Sequence, residues 1–294
     1  MQVSANGIML EVETYGPKEG VPLVLIRGLG SQMVHWPVEL YEGLAALGYR
    51  VVLFDNRDVG LSQRCPRGGV PSRAEEITTL ATNGDVMRAA YTLDDMADDV
   101  LGVMEALGIA KAHLFGISMG GAITQILCLD HADRVLSATI VMTAARPLVA
   151  RAQVAEMLPA LLAEPVDRDT YVDNWVRDDA IYGSPGFPMS EAELRVQAGL
   201  AYERGFDATG INRQVLAVLT APDRRAGLTS VAVPCQVIHG TDDALIPADL
   251  GAEIAGLIPR CDYHAIDGMG HVITPKLAPM MVALVQDFIS RRAS

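Results

Sequence analysis

Ser118 stands in Gly116-Ile117-Ser118-Met119-Gly120, after an apolar run at residues 112–115 and ahead of a helical pattern at 122–129. A Gly-x-Ser-x-Gly where a strand turns into a helix is the setting of a nucleophile elbow. Small flanking residues let strand and helix approach, and a strained turn presents the serine hydroxyl at the strand's end. The helix start that follows favours developing negative charge. A serine hydroxyl is a weak nucleophile, so the chemistry requires a base and a group to orient it, in chain order serine, acid, histidine. His271 is the candidate base, because it closes the glycine-rich loop Gly268-Met269-Gly270 just after an apolar run. His35, His113, His131, His239 and His264 read as structural. Asp242 and Asp243, in the loop after the run at 235–238, compete for the orienting role; the other would cap or solvate the turn. The backbone N–H groups of Met119 and of Leu29, in Arg27-Gly28-Leu29-Gly30, are the expected oxyanion donors.

These residues need a frame that holds loops at strand ends. Apolar runs at 8–14, 23–26, 51–54, 112–115 and 137–142 alternate with helical patterns, which predicts a doubly wound, mostly parallel α/β sheet. Residues 93–107 place Leu93, Met96, Ala97, Val100, Val103, Met104 and Leu107 on one apolar stripe of a helix. Asp95, Asp98 and Asp99 fall opposite and read as a solvated helix start, not as metal ligands. From 143 to 230 the rhythm is helical and broken by prolines; strands resume at 235–238 and 263–266, and a helix closes the chain at 277–290. The expected organisation is a core of residues 1–142 and 231–294 with a helical lid at 143–230 inserted. Met157, Leu158, Leu161, Tyr171, Trp175, Tyr182, Phe187 and Tyr202 of that insertion could cover the site. Trp175, Tyr182 and Tyr202, with Gly28, are the candidate substrate contacts.

Half of the 294 residues are hydrophobic and a fifth charged, so the chain can bury a large core. Its 36 Asp and Glu against 23 Lys and Arg give a net charge of −13, which opposes binding to nucleic acid. No apolar run approaches the roughly 20 residues that span a bilayer, and the first twenty residues lack a signal-peptide core. Neither a nucleic acid nor a membrane is an expected partner. Cys65, Cys128, Cys235 and Cys261 are scattered without a CxxC pair, which suits reduced thiols and a cytoplasmic location.

Taken together, the chain resembles the α/β-hydrolase family over nearly its whole length. Residues 27–30 are similar to its oxyanion loop, 54–62 to its arginine-containing turn, and 116–120 to its elbow. In its acid loop the aspartate follows a glycine by three positions and precedes a proline by four; Asp243, between Gly240 and Pro247, meets both spacings. The loop ending at His271 and the stretch 116–134 look closest to aclacinomycin methylesterase-like carboxylesterases. Arg27 departs from the pattern, because many members carry histidine before that glycine; a structural pairing with an acidic neighbour is expected for it, with attraction of an anionic substrate as the alternative. The resemblance implies a Ser118-His271-Asp243 ester hydrolase that forms an acyl-enzyme, needs no metal or organic cofactor, and acts on a small to medium apolar ester such as a methyl ester. It leaves open a lactone or carbon–carbon substrate, a perhydrolase, a non-catalytic ligand-binding fold, and assembly as a homo-oligomer.

Overall fold

A computed structural model describes residues 1–83, 85, 87–147 and 161–292. Strands β1 (Gln2–Ala5) and β2 (Ile8–Tyr15) form a hairpin whose turn residues, Asn6 and Gly7, both take positive φ, at 48° and 77°. β3 (Val21–Ile26), β4 (Tyr49–Phe54), β5 (Ala112–Ile117), β6 (Val135–Val141), β7 (Cys235–Gly240) and β8 (Asp262–Ile266) run parallel, and β2 joins β4 antiparallel. The order across the sheet is β1-β2-β4-β3-β5-β6-β7-β8. The chain therefore winds outward from β3 to β4, returns to the other side of β3, and continues from β5. That reversal opens a crevice beyond the carboxyl ends of β3 and β5, where open α/β sheets bind ligands.

Strand alternation divides the core into two layers. Val24, Val52, Leu114, Ile140 and Val237 face helices α3 (Leu93–Ala106), α4 (Met119–Asp130) and α9 (Ala248–Leu257). Leu25, Leu53, Phe115, Val141 and Ile238 face α1 (Val38–Ala46) and α10 (Ala278–Arg292). Central strands buried on both faces explain why they read as continuous apolar runs. The expected stripe on α3 is buried, and Thr92 begins that helix with a capping box to Asp95. Asp99 departs from the solvated face assigned to it. It is 1% exposed and takes two 2.6 Å hydrogen bonds from Arg57 in the turn after β4.

Helix α2 (Ala74–Asn83) comes before α3, and among the described residues the stretch between β6 and β7 carries helices and no strand. These are α5 (Arg168–Tyr182), α6 (Glu191–Gly205), α7 (Ala208–Leu219) and the short α8 (Arg225–Leu228). The turn after β4 fastens two of them. Asp55 pairs with Arg204 of α6 at 2.9 Å, and Asp58 pairs with Arg213 of α7 at 2.6 Å. Gln214 of α7 donates to the Arg57 carbonyl. All four cysteines are free thiols, and among the described residues no helix is long and apolar enough to cross a membrane.

Candidate active site

β5 ends at Ile117 and α4 begins at Met119, which leaves Ser118 alone at the corner with φ 54° and ψ −120°. A non-glycine residue held there stores strain that the surrounding packing must fix. Both flanking glycines permit that packing. A Cβ on Gly120 would collide with the Ile26 carbonyl at the end of β3, and one on Gly116 would collide with Thr124 and the Gly120 carbonyl.

His271 Nε2 lies 3.0 Å from Ser118 Oγ, and its Nδ1 lies 2.7 Å from Asp243 Oδ2. The structure thus brings Ser118, His271 and Asp243 into one hydrogen-bonded run. Asp243 Oδ1 accepts from the amides of Leu245 and Ile246, while its Oδ2 also faces His239 Nε2 at 3.4 Å. Burial opposes ionisation of this carboxyl, but hydrogen bonds from His239 and His271 and the Ile246 amide outweigh it and hold the group well below the usual carboxylate range. Asp242 has a different task. It accepts from the Gly268 amide and from Thr241 Oγ1, and so braces the loop that carries His271.

That loop is also held from the helical insertion. His271 N donates to the Tyr182 carbonyl at 2.7 Å, and Ser184 Oγ bonds both the Gly270 amide and the Val272 carbonyl. A Cβ on Gly270 would strike the Gly183 carbonyl, so the glycine before the histidine lets the insertion clasp the loop.

Beside the serine, Gly28 packs so closely that a Cβ there would lie 3.1 Å from Ser118 Cβ. The Gly30 amide is bound by Gln214 Oε1, whereas the amides of Leu29 and Met119 have no hydrogen-bond partner among the described residues. Met119 opens a helix, where a free N–H is the rule. Gly28, Leu29, Ser118, Met119 and His271 line a cavity of about 1450 Å³. Two free donors and a hydrogen-bonded nucleophile on one cavity wall can attack a carbonyl carbon and hold the oxygen that becomes negative.

Several expected substrate contacts lie elsewhere. Trp175 stacks on His35 at 4.4 Å and Tyr202 packs against Tyr171 and Phe206 with its hydroxyl on the Val166 carbonyl, while Tyr182 contributes its backbone. None of these three lines the cavity; Leu161 of the insertion does. Phe187 packs on the core and Tyr171 on its aromatic neighbours. Met157 and Leu158 lie outside the described residues. Arg27 also departs from expectation, since no carboxylate among the described residues pairs with it. Its guanidinium sits 4.6 Å over the Trp36 ring. Sequence reasoning passed over His239 as a partner of Asp243. Its place four residues earlier, at the end of β7, was the available signal.

The sequence model of a family described as alpha/beta hydrolase fold matches residues 21–180. The chain is 26% identical over 293 residues to the rhodomycin D methylesterase DnrP of Streptomyces peucetius, covering 92% of this chain and 91% of that one. It is 29% identical over 263 residues to the putative carbamate hydrolase RutD of Caulobacter vibrioides strain NA1000 / CB15N, covering 88% and 87%. Among solved structures, the enol-lactonase from Burkholderia xenovorans LB400 superposes with a TM-score of 0.76 at 24% identity, over 99% of this chain and 100% of that one, which is a likeness of fold.

Proposed function

Because this chain belongs to the alpha/beta hydrolase fold family, we propose that it hydrolyses a carboxylic ester through Ser118, His271 and Asp243. The observation that carries this reading is the continuous run from Ser118 Oγ through the His271 imidazole to the Asp243 carboxylate at the wall of a large cavity. The methylesterase name of the Streptomyces relative supports an ester, in particular a methyl ester, as substrate.

In this mechanism Ser118 Oγ attacks the ester carbonyl while His271 Nε2 takes its proton. The carbonyl oxygen becomes an oxyanion between the amides of Leu29 and Met119. His271, now an imidazolium steadied by Asp243, gives the proton to the departing alcohol as the C–O bond breaks. Water then enters, loses a proton to His271, and attacks the acyl-enzyme; return of the proton to Ser118 Oγ releases the acid. No step requires a metal or an organic cofactor.

Ser118→Ala removes the nucleophile and nothing else of size. The expected loss in kcat on p-nitrophenyl esters is about five to six orders of magnitude, with a nearly unchanged melting temperature, because alanine keeps the Cβ and hence the strain of the turn. Labelling of wild-type Ser118 by a fluorophosphonate probe, absent in Ser118→Ala, checks the nucleophile directly. Near-native turnover by the variant would sink the assignment.

A further inference from the structure

We propose that the preferred ester carries a free carboxylate elsewhere in the molecule, and that Arg27 is the residue that reads it. The inference deepens the ester-hydrolase reading and rests on it for the reaction. Its starting point is a buried cation without a counter-charge among the described residues.

Arg27 is 9% exposed, directly precedes Gly28, and lines the same cavity as Ser118 and His271. Other buried arginines have their donors committed. Arg57 holds Asp99 and Arg213 holds Asp58, while Arg224 donates to Gln125 Oε1 and to the carbonyls of Ala144 and Pro222. Among the described residues Arg27 makes one long hydrogen bond, 3.4 Å from Nη1 to the His35 carbonyl, and its Nε has no partner there. A guanidinium offers five N–H donors, so most of this one's capacity is unused among the described residues.

Burying such a charge without a partner is costly. Burial pulls the Arg27 pKa down to about 9, which still leaves it protonated at neutral pH. Trp36 beneath the guanidinium fixes its plane while contributing no acceptor. A carboxylate entering from the cavity would supply what is missing, because a planar guanidinium matches it with two charge-assisted hydrogen bonds.

The surrounding charge favours the same class of ligand. Among the described residues that line the cavity, Arg146 and Arg225 are already paired with Glu253 and Asp223, whereas Arg27 and Arg224 have no carboxylate within ion-pair distance. In a chain of net charge −13 this leaves unpaired guanidinium charge where substrate would lie. One uncommitted guanidinium suits one carboxylate. A polyanion would meet the opposing field of the rest of the chain.

Monomethyl adipate and dimethyl adipate present the same methyl ester with and without the charge. Initial-rate kcat/KM for both is measured on wild type, Arg27→Met, Arg27→Gln and Arg27→Lys, with a melting curve for each to identify any variant that fails to fold. Wild type is expected to favour the monomethyl ester by at least about tenfold. Arg27→Met and Arg27→Gln are expected to reduce that preference by about ten- to a hundredfold, chiefly through KM, as loss of a charge-assisted pair implies. Arg27→Lys, which keeps the charge without the fork, is expected to retain part of it. A wild type that prefers the dimethyl ester, or a preference unchanged in both neutral variants, overturns the proposal.

Calorimetric binding of adipate separates this failure from failure of the ester reading. Adipate binding that weakens with Arg27→Met, in a chain that cleaves neither ester, would keep the carboxylate site and remove the hydrolase assignment. Hydrolysis of dimethyl adipate without adipate binding or monoester preference would do the reverse.

Discussion

Asp243 and Asp242 are neighbours with opposite work, and the difference lies in what each oxygen touches. Asp243 is buried against two imidazoles and two amides, while Asp242 bonds the Gly268 amide at the surface. Asp243→Asn should therefore lower kcat on a p-nitrophenyl ester by about three to four orders of magnitude, since a neutral amide leaves the imidazole tautomer unfixed. Asp242→Asn keeps an acceptor for Gly268 and should cost less than about tenfold. Equal losses in the two variants would contradict the division. The same geometry shapes the pH profile. The acid limb of kcat/KM should carry no ionisation of Asp243 above pH 5, because its carboxyl is held well below the usual range by the hydrogen bonds it accepts. A slope of two above pH 5 would show that another group must also be ionised. At this scale the serine and histidine were legible because each sits in its own local motif, whereas choosing between the aspartates needed a spacing borrowed from resemblance. The lack of a carboxylate for Arg27 among the described residues and the burial of Asp99 were not legible, since both depend on how the chain packs.

The turn after β4 is one of the elements that tie the helical insertion to the sheet. Asp55, Arg57 and Asp58 reach α6, α3 and α7 respectively, and each ion pair is largely dry. Removing one partner of such a pair leaves a charge buried and unmatched. Arg213→Met should thus destabilise the protein by about 3–5 kcal/mol in urea unfolding, with the loss reduced when Asp58→Asn is added. Arg195→Met, which breaks an exposed pair with Glu191 on α6, should leave the midpoint nearly unchanged. If Arg213→Met and Arg195→Met shift the midpoint alike, the turn is no special fastening. Sequence patterns found the strands readily, because a doubly wound sheet buries both faces and writes itself as apolar runs. They could not say which aromatic residues of the insertion face substrate. Trp175, Tyr171 and Tyr202 serve packing instead, and helical periodicity treats an apolar pocket and an apolar interface identically.

At the scale of the molecule, the strand order makes the site. Placing β5 beside β3 lets the Gly28 loop and Ser118 meet at one sheet edge, and the insertion then clasps the histidine loop through Tyr182 and Ser184. The same burial that assembles these loops encloses histidines that ordinarily take up a proton near neutrality. His113, at the β5–β6 junction against Ser137, is pulled from 6.5 to about 4 by burial. Burial and the nearby Arg27 push His35 well below its ordinary value. In the unfolded chain both imidazoles bind protons as pH drops below about 6.5, while the folded protein resists doing so. Their contribution to stability is therefore complete above that pH and is lost as pH falls from about 6.5 towards 4. Urea midpoints should decline steadily across this window. His113→Gln, which retains a side-chain partner for Ser137 without a titrating ring, should flatten the decline by the share that His113 carries. A wild-type midpoint constant from pH 7 to 4.5 would remove both buried imidazoles as a cause, and a decline of equal slope in the variant would remove His113 and leave His35 as the group to examine.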